Sequence, residues 1–187
     1  MQITREELHR LGELQTIEFK KSLGLTKDAL EAPCGMLNTD NGKGTVWFGV
    51  GPDGYIYGIE PGNLDTAQQS LSRTIREKFD PPIIHSIERF DCDGETLIRL
   101  SAERRTDVAF HEFDGRAYIR EGSTRRKLSI DEREHLKRRR SRDNHPGPWK
   151  CDGCGAYIGT FSGLVVTDQR IERTFRHACG GELWPAS

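Results

Sequence analysis

Residues 44–50, GTVWFGV, are apolar at successive positions instead of at every second one. A run of that kind reads as a strand buried inside a core. The turn GPDG, 51–54, leads from it toward a second strand, YIYG. A buried strand needs neighbouring strands and covering helices, and the remaining sequence supplies signals for both. Thr4-Arg5-Glu6-Glu7 is a capping box that opens a helix to about Leu14, with Leu8, Leu11 and Leu14 on one face. A short strand, Thr16 to Lys20, follows, setting Ile17 and Phe19 on one side and Thr16, Glu18 and Lys20 on the other. A second helix is expected over Thr26 to Leu37, although Pro33 and Gly35 work against it.

Leu64, Ala67, Leu71, Ile75 and Phe79 form the stripe of a long amphipathic helix that Asp80-Pro81-Pro82 ends. Strand-like runs come next at 83–89, 95–102 and 116–120, the second after the turn DCDG and the third after FDG. Ser129-Ile130-Asp131-Glu132 is another capping box, opening a basic helix that ends near Arg142. One α/β (α+β) domain over 1–142 accounts for these elements, with a Pro- and Gly-containing linker at 143–149.

The remainder, 150–187, is too short for an apolar core of its own and needs a staple. Cys151-x-x-Cys154 and His177-x-Cys179 supply four soft or imidazole donors, the ligand set of a closed structural zinc site in a small ribbon. The chain has five cysteines, an odd number. Without a charged-then-apolar leader, this favours a reducing compartment over disulfides, and Cys34 and Cys92 read as core or turn residues. No apolar run has the length of a membrane span, so a cytoplasmic protein without membrane attachment is expected.

Charge is unevenly spread. Residues 116–142 hold eleven basic groups against four acidic ones, in a chain whose net charge is −1. Such asymmetry points to an anionic partner. YIREGSTRRK places Arg120, Ser123, Thr124, Arg125, Arg126 and Lys127 at a strand end and loop, where hydroxyls and guanidinium groups can grip phosphates. The helix after it adds Lys137, Arg138, Arg139 and Arg140. The competing reading of this run is a solvated face. Tyr55, Tyr57 and Tyr118 read either as base-stacking rings or as ordinary strand aromatics. DNGKGT, 40–45, is not a P-loop, because Gly35 is too far upstream and Lys43 is followed by Gly44.

Glu13 and Glu18 stand within ELQTIEFKKS, just ahead of Lys20 and Lys21. A glutamate is disfavoured in a strand and near a helix C-terminus, so neither position helps the fold. Brought together at a helix-to-strand junction they could hold a hard divalent cation; otherwise they are surface glutamates.

Several motifs in order, E-x4-EFKKS (13–22), LNT (37–39), TVWFGVGPDGYIYGIE (45–60), KFDPP (78–82), AYIREGST (117–124) and the capped helix 129–140, resemble the Schlafen AlbA-type domain family. The resemblance spans roughly residues 5–140. It implies a mostly antiparallel sheet with packed helices and nucleic-acid binding, RNA more than DNA. Some members of the family are metal-dependent endoribonucleases acting on transfer and ribosomal RNA through three carboxylates. By that resemblance Glu13 and Glu18 would be two ligands of a Mg or Mn ion, with Lys20 and Lys21 as neighbouring cations. The third would be Asp53, displaced by about one residue because Gly49-Val50 is followed here by Gly51-Pro52; Asp40 is a distant substitute. Animal Schlafens pair two lobes into a clamp, so a single lobe implies a homodimer. The alternatives are a non-catalytic DNA- or RNA-binding regulator and a protein-interaction module.

Overall fold

A computed structural model of the chain describes residues 1–12, 14–60, 62, 64–144, 149–155, 157–158, 164–167, 170–173 and 181–185. Two compact units divide it, Met1–Arg133 and Glu134–Ser187. In the first, β1 (Ile17–Lys20), β2 (Lys43–Phe48), β4 (Ile84–Cys92) and β5 (Glu95–Glu103) form a four-stranded sheet in the order β1-β2-β5-β4. β3 (Phe79–Asp80) pairs with β6 (Glu112–Phe113), and β7 (Tyr118–Glu121) with β8 (Thr124–Lys127), both antiparallel. Among the described strand pairs β1 and β2 alone run parallel, and that pair needs a crossover. Helix α2 (Thr26–Leu37) supplies it.

Alternation along β2 divides the core in two. Val46 and Phe48 join Ile98, Leu100, Leu71 and Ile75 on the side of α2 and α3 (Leu64–Lys78). Trp47 faces the other way, toward Leu8, Phe19, Phe90 and Leu97, beneath α1 (Arg5–Leu11). The β4–β5 hairpin turns at Asp93 and Gly94, both at positive φ (56° and 85°), as a two-residue hairpin turn requires. The predicted α+β class and the mostly antiparallel sheet are both present.

Two local expectations are corrected, and the helix expected over Thr26 to Leu37 is present. Helix α1 ends at Gly12, whose φ of 55° stops the helix and whose N–H caps Leu8 O, so Leu14 lies beyond it and is exposed. YIYG forms no strand: Tyr57 and Gly58 both donate to Gly49 O, at 2.8 and 3.1 Å, curling the chain so that only Val50 and Ile56 bridge. Pro33 and Gly35 do lie inside α2. Gly35 has a tertiary reason, since a Cβ there would stand 3.3 Å from the backbone of Ile119 and Arg120.

In the second unit β9 (Trp149–Cys151) lies between β10 (Tyr157–Ile158) and β13 (Leu183–Pro185), and β11 (Leu164–Thr167) pairs with β12 (Arg170–Arg173). Helix α4 (Ile130–Asn144) carries the division between the units. No helix among the described residues is long and apolar enough to cross a membrane.

Candidate nucleic-acid interface

β1 is an edge strand, and Phe19 commits one of its faces to the α1 side of the core. Glu18 and Lys20 must therefore turn toward α2. Glu18 is buried, with 7% of its surface exposed, and each of its carboxylate oxygens is taken by a cation. Lys20 Nζ lies 2.7 Å from Oε1 and Arg120 Nη1 lies 2.6 Å from Oε2. Lys20 also reaches Asp28 on α2 at 2.9 Å. Burial opposes the charge on Lys20, but the hydrogen bonds to Glu18 and Asp28 outweigh it, and its pKa is raised.

Arg125 on β8 completes the network by pairing with Asp28 and, at 3.0 Å, with Glu31. Burial raises the pKa of Asp28, yet the hydrogen bonds from Lys20 and Arg125 lower it below the ordinary carboxylate value. Tyr118 donates its hydroxyl to Glu31 at 3.0 Å. The network holds three carboxylates and three cations and joins β1, α2, β7 and β8.

Arg120, expected at a phosphate grip, lies inside the fold. Its guanidinium is 1% exposed and donates to Glu18, Leu14 O, Ile17 O and Gly122 O. Nearly its whole donor inventory is spent inside the fold. Arg140 is likewise buried, and Arg139 half-buried. The hairpin tip is different. Ser123 and Lys127 are exposed, Thr124 caps Glu121 O at 2.9 Å, and Arg126, with 45% of its side chain exposed, pairs with Glu121 and Glu132 at 2.7 Å each. Arg126 and the Ser129 cap draw Glu132 down to about 2. Lys137 pairs with Glu134, and Arg138 is exposed. Lys21 is exposed, its Nζ 4.1 Å from the centre of the Tyr57 ring, whereas Tyr118 is buried.

Of the residues expected to hold a divalent cation, Glu18 and Asp53 are among the described ones. Both oxygens of Glu18 already face cations, which leaves it no surplus negative charge. Asp53 lies exposed in the turn after β2, accepting from Tyr55 N at 3.1 Å, and takes no part in the Glu18 pairs. No group of three His, Cys, Asp or Glu side chains among the described residues converges as a metal would require. Glu13 lies outside the described residues, as do His177 and Cys179. Cys151 is buried and Cys154 exposed, in a turn closed by Gly155 N donating to Cys151 O at 2.9 Å.

Asp28, Glu31 and Asn38 were missed in the sequence. The signal for the first two was their i, i+3 spacing on α2, which puts them on one face. Asn38 had only its place in LNT. It donates to His111 O and Tyr118 O, both at 2.8 Å, and accepts from His111 N, pinning β7 to the end of α2.

A mixed α+β domain with a basic hairpin clasped to its crossover helix is the class this geometry defines. Residues 13–129 match the model of the Schlafen, AlbA_2 family, and the chain belongs to that family. Solved structures similar to it include the DIP2311 protein from Corynebacterium diphtheriae, 17% identical with a TM-score of 0.48 over 66% of this chain and 24% of that one. Another is the N-terminal domain of an ATP-dependent DNA helicase RecG-related protein from Nitrosomonas europaea, 17% identical with a TM-score of 0.43 over 67% of this chain and 91% of that one. The chain thus spans about a quarter of the first and most of the second. No curated protein matches the sequence.

Proposed function

We propose that this protein binds nucleic acid, RNA in preference to DNA, through the exposed part of its basic hairpin, and holds it without cutting it at Glu18. The observation that carries this reading is β8. Its sequence TRRK stands on the outside of a two-stranded ribbon with Arg126 and Lys127 toward solvent, beside the Ser123 and Thr124 hydroxyls. Exposed ion pairs such as Arg126 with Glu121 contribute little to stability, so a phosphate can take their place. The buried pair of Arg120 offers no such exchange. Membership of the Schlafen AlbA_2 family supports a nucleic-acid ligand, and the occupied carboxylate of Glu18 favours binding over hydrolysis.

The same reading includes a structural zinc held by Cys151, Cys154, His177 and Cys179. Gly181 supports it: a Cβ there would stand 2.6 Å from Cys151 Sγ, so the chain two residues past Cys179 approaches the first cysteine knuckle. A homodimer, the second chain standing in for a second lobe, and a cytoplasmic setting belong to the proposal on the strength of the family resemblance and the cysteine usage.

The test is a salt titration of binding to transfer RNA and to a DNA of equal length. Arg126→Ala/Lys127→Ala is expected to weaken binding at low salt and to flatten the slope of log affinity against log salt by roughly one and a half to two. Transfer RNA incubated with Mn²⁺ is expected to stay intact. Cleavage by the wild type that is lost in Glu13→Ala/Glu18→Ala, while that variant stays folded and still binds transfer RNA, would instead establish the hydrolytic reading. Absence of binding at low salt would leave the interaction-module reading.

A further inference from the structure

Among the described residues only six large hydrophobic side chains are exposed, and two of them, Tyr55 (59%) and Tyr57 (42%), flank a buried residue. The isolated bridge between Val50 and Ile56 accounts for the arrangement. Ile56 enters the core beside Val50, Leu8 and Trp47, so the tyrosines on either side of it must both point outward. The segment is held firmly. Gly51 N donates to Tyr55 O at 2.8 Å, Tyr57 N to Gly49 O at 2.8 Å, and Asp53 accepts from Tyr55 N. Gly51 leaves room for the second ring, since a Cβ there would stand 2.9 Å from Tyr57 Cε2.

The two rings meet edge to face, 4.9 Å between centroids at 63°. Lys21, which follows β1, holds its ammonium over Tyr57 at 4.1 Å from the centroid. The His9 ring stands against the same turn, 3.0 Å from where a Cβ on Gly54 would be, and Arg10 follows it in the basic last turn of α1. Asp53 is the acidic group of the turn, and Glu60 is exposed a few residues on. Two rings left in water on a rigid turn forgo the burial that aromatic side chains ordinarily gain, while a cation is parked on one of them.

We infer that this turn is a stacking platform for unpaired nucleotides: Tyr55 takes the face of a base, and Tyr57 positions Lys21 against the adjoining phosphate. The inference rests on the nucleic-acid reading above and adds to it a ligand class, single-stranded segments. A duplex keeps its bases stacked on one another and offers a tyrosine no face, whereas an unpaired base stacks on an aromatic ring whatever its identity. The platform is also separate in sequence from the hairpin 118–127, so its contribution can be removed alone.

The experiment uses the full chain and two probes, an unpaired labelled oligonucleotide and a blunt two-stranded duplex of the same length, followed by fluorescence anisotropy. Tyr55→Ala is expected to weaken the unpaired probe about tenfold and to leave the duplex unchanged. Tyr55→Phe keeps the ring and is expected to bind as the wild type does. Lys21→Ala is expected to lower the salt slope on the unpaired probe by about one. Equal affinity of Tyr55→Ala and wild type for the unpaired probe overturns the platform while leaving the hairpin reading standing. So does an equal loss on both probes, or a loss in Tyr55→Phe matching that in alanine. If the wild type binds neither probe at low salt, the nucleic-acid reading and the platform fall together.

Discussion

Arg120 buries its guanidinium, with 1% of its surface exposed, against the carboxylate of Glu18. Taking a guanidinium out of water costs several kcal/mol unless a counter-charge and hydrogen bonds meet it, and here both are present. Glu18→Gln removes the counter-charge and is expected to cost about 3–5 kcal/mol in urea unfolding, because the guanidinium stays buried. Glu18→Leu/Arg120→Met, which removes both charges at similar volume, is expected to recover most of that loss. A loss below about 1 kcal/mol in the single variant would mean that Arg120 reaches water in solution. The sequence pointed to Glu18 as an anomaly in a strand and to Arg120 as a basic residue near a loop. Neither observation joined them, because the pairing depends on β7 lying against α2.

At the scale of elements, α2 is the part on which everything else converges. It closes the β1–β2 crossover, carries Asp28 and Glu31 to Arg125, and receives β7 at Gly35 and Asn38. Its contact with β2 is equally close: a Cβ on Gly44 would meet Met36 Sδ at 2.6 Å and Met36 Cβ at 2.8 Å. Gly44→Ala is therefore expected to destabilise by about 1–3 kcal/mol through overpacking, and Met36→Ala in the same chain to relieve part of it, read by chemical denaturation. A neutral Gly44→Ala would show that the helix and strand can separate freely. Capping boxes, the 3.6-residue stripe of α3 and the Asp-Gly hairpin were legible because each is written within a few residues. The end of α1 and the curl after Val50 were not. Gly12 and Gly49 reveal their roles only through backbone angles and acceptors that residue type leaves open.

For the molecule as a whole, two compact units carry different means of stabilisation. Met1–Arg133 has an apolar core on both faces of its sheet. The described strands of Glu134–Ser187 are two to four residues long, and the proposed zinc would supply what such a small unit lacks. Purified protein is expected to carry about one zinc per chain, and Cys154→Ser to lose it. Chelation should then remove the unfolding transition of the smaller unit while leaving that of the larger in place. A wild-type protein free of zinc would end the proposal. By itself the sequence determined the class of fold, the family and the concentration of positive charge in 116–142, because periodicity, capping and motif order are local properties of the chain. Only the tertiary structure decided which of those charges meet water. Arg120 and Arg125 are claimed by carboxylates on β1 and α2, Arg126 and Lys127 remain at the surface, and a charge's solvation depends on what folds beside it rather than on its neighbours in sequence.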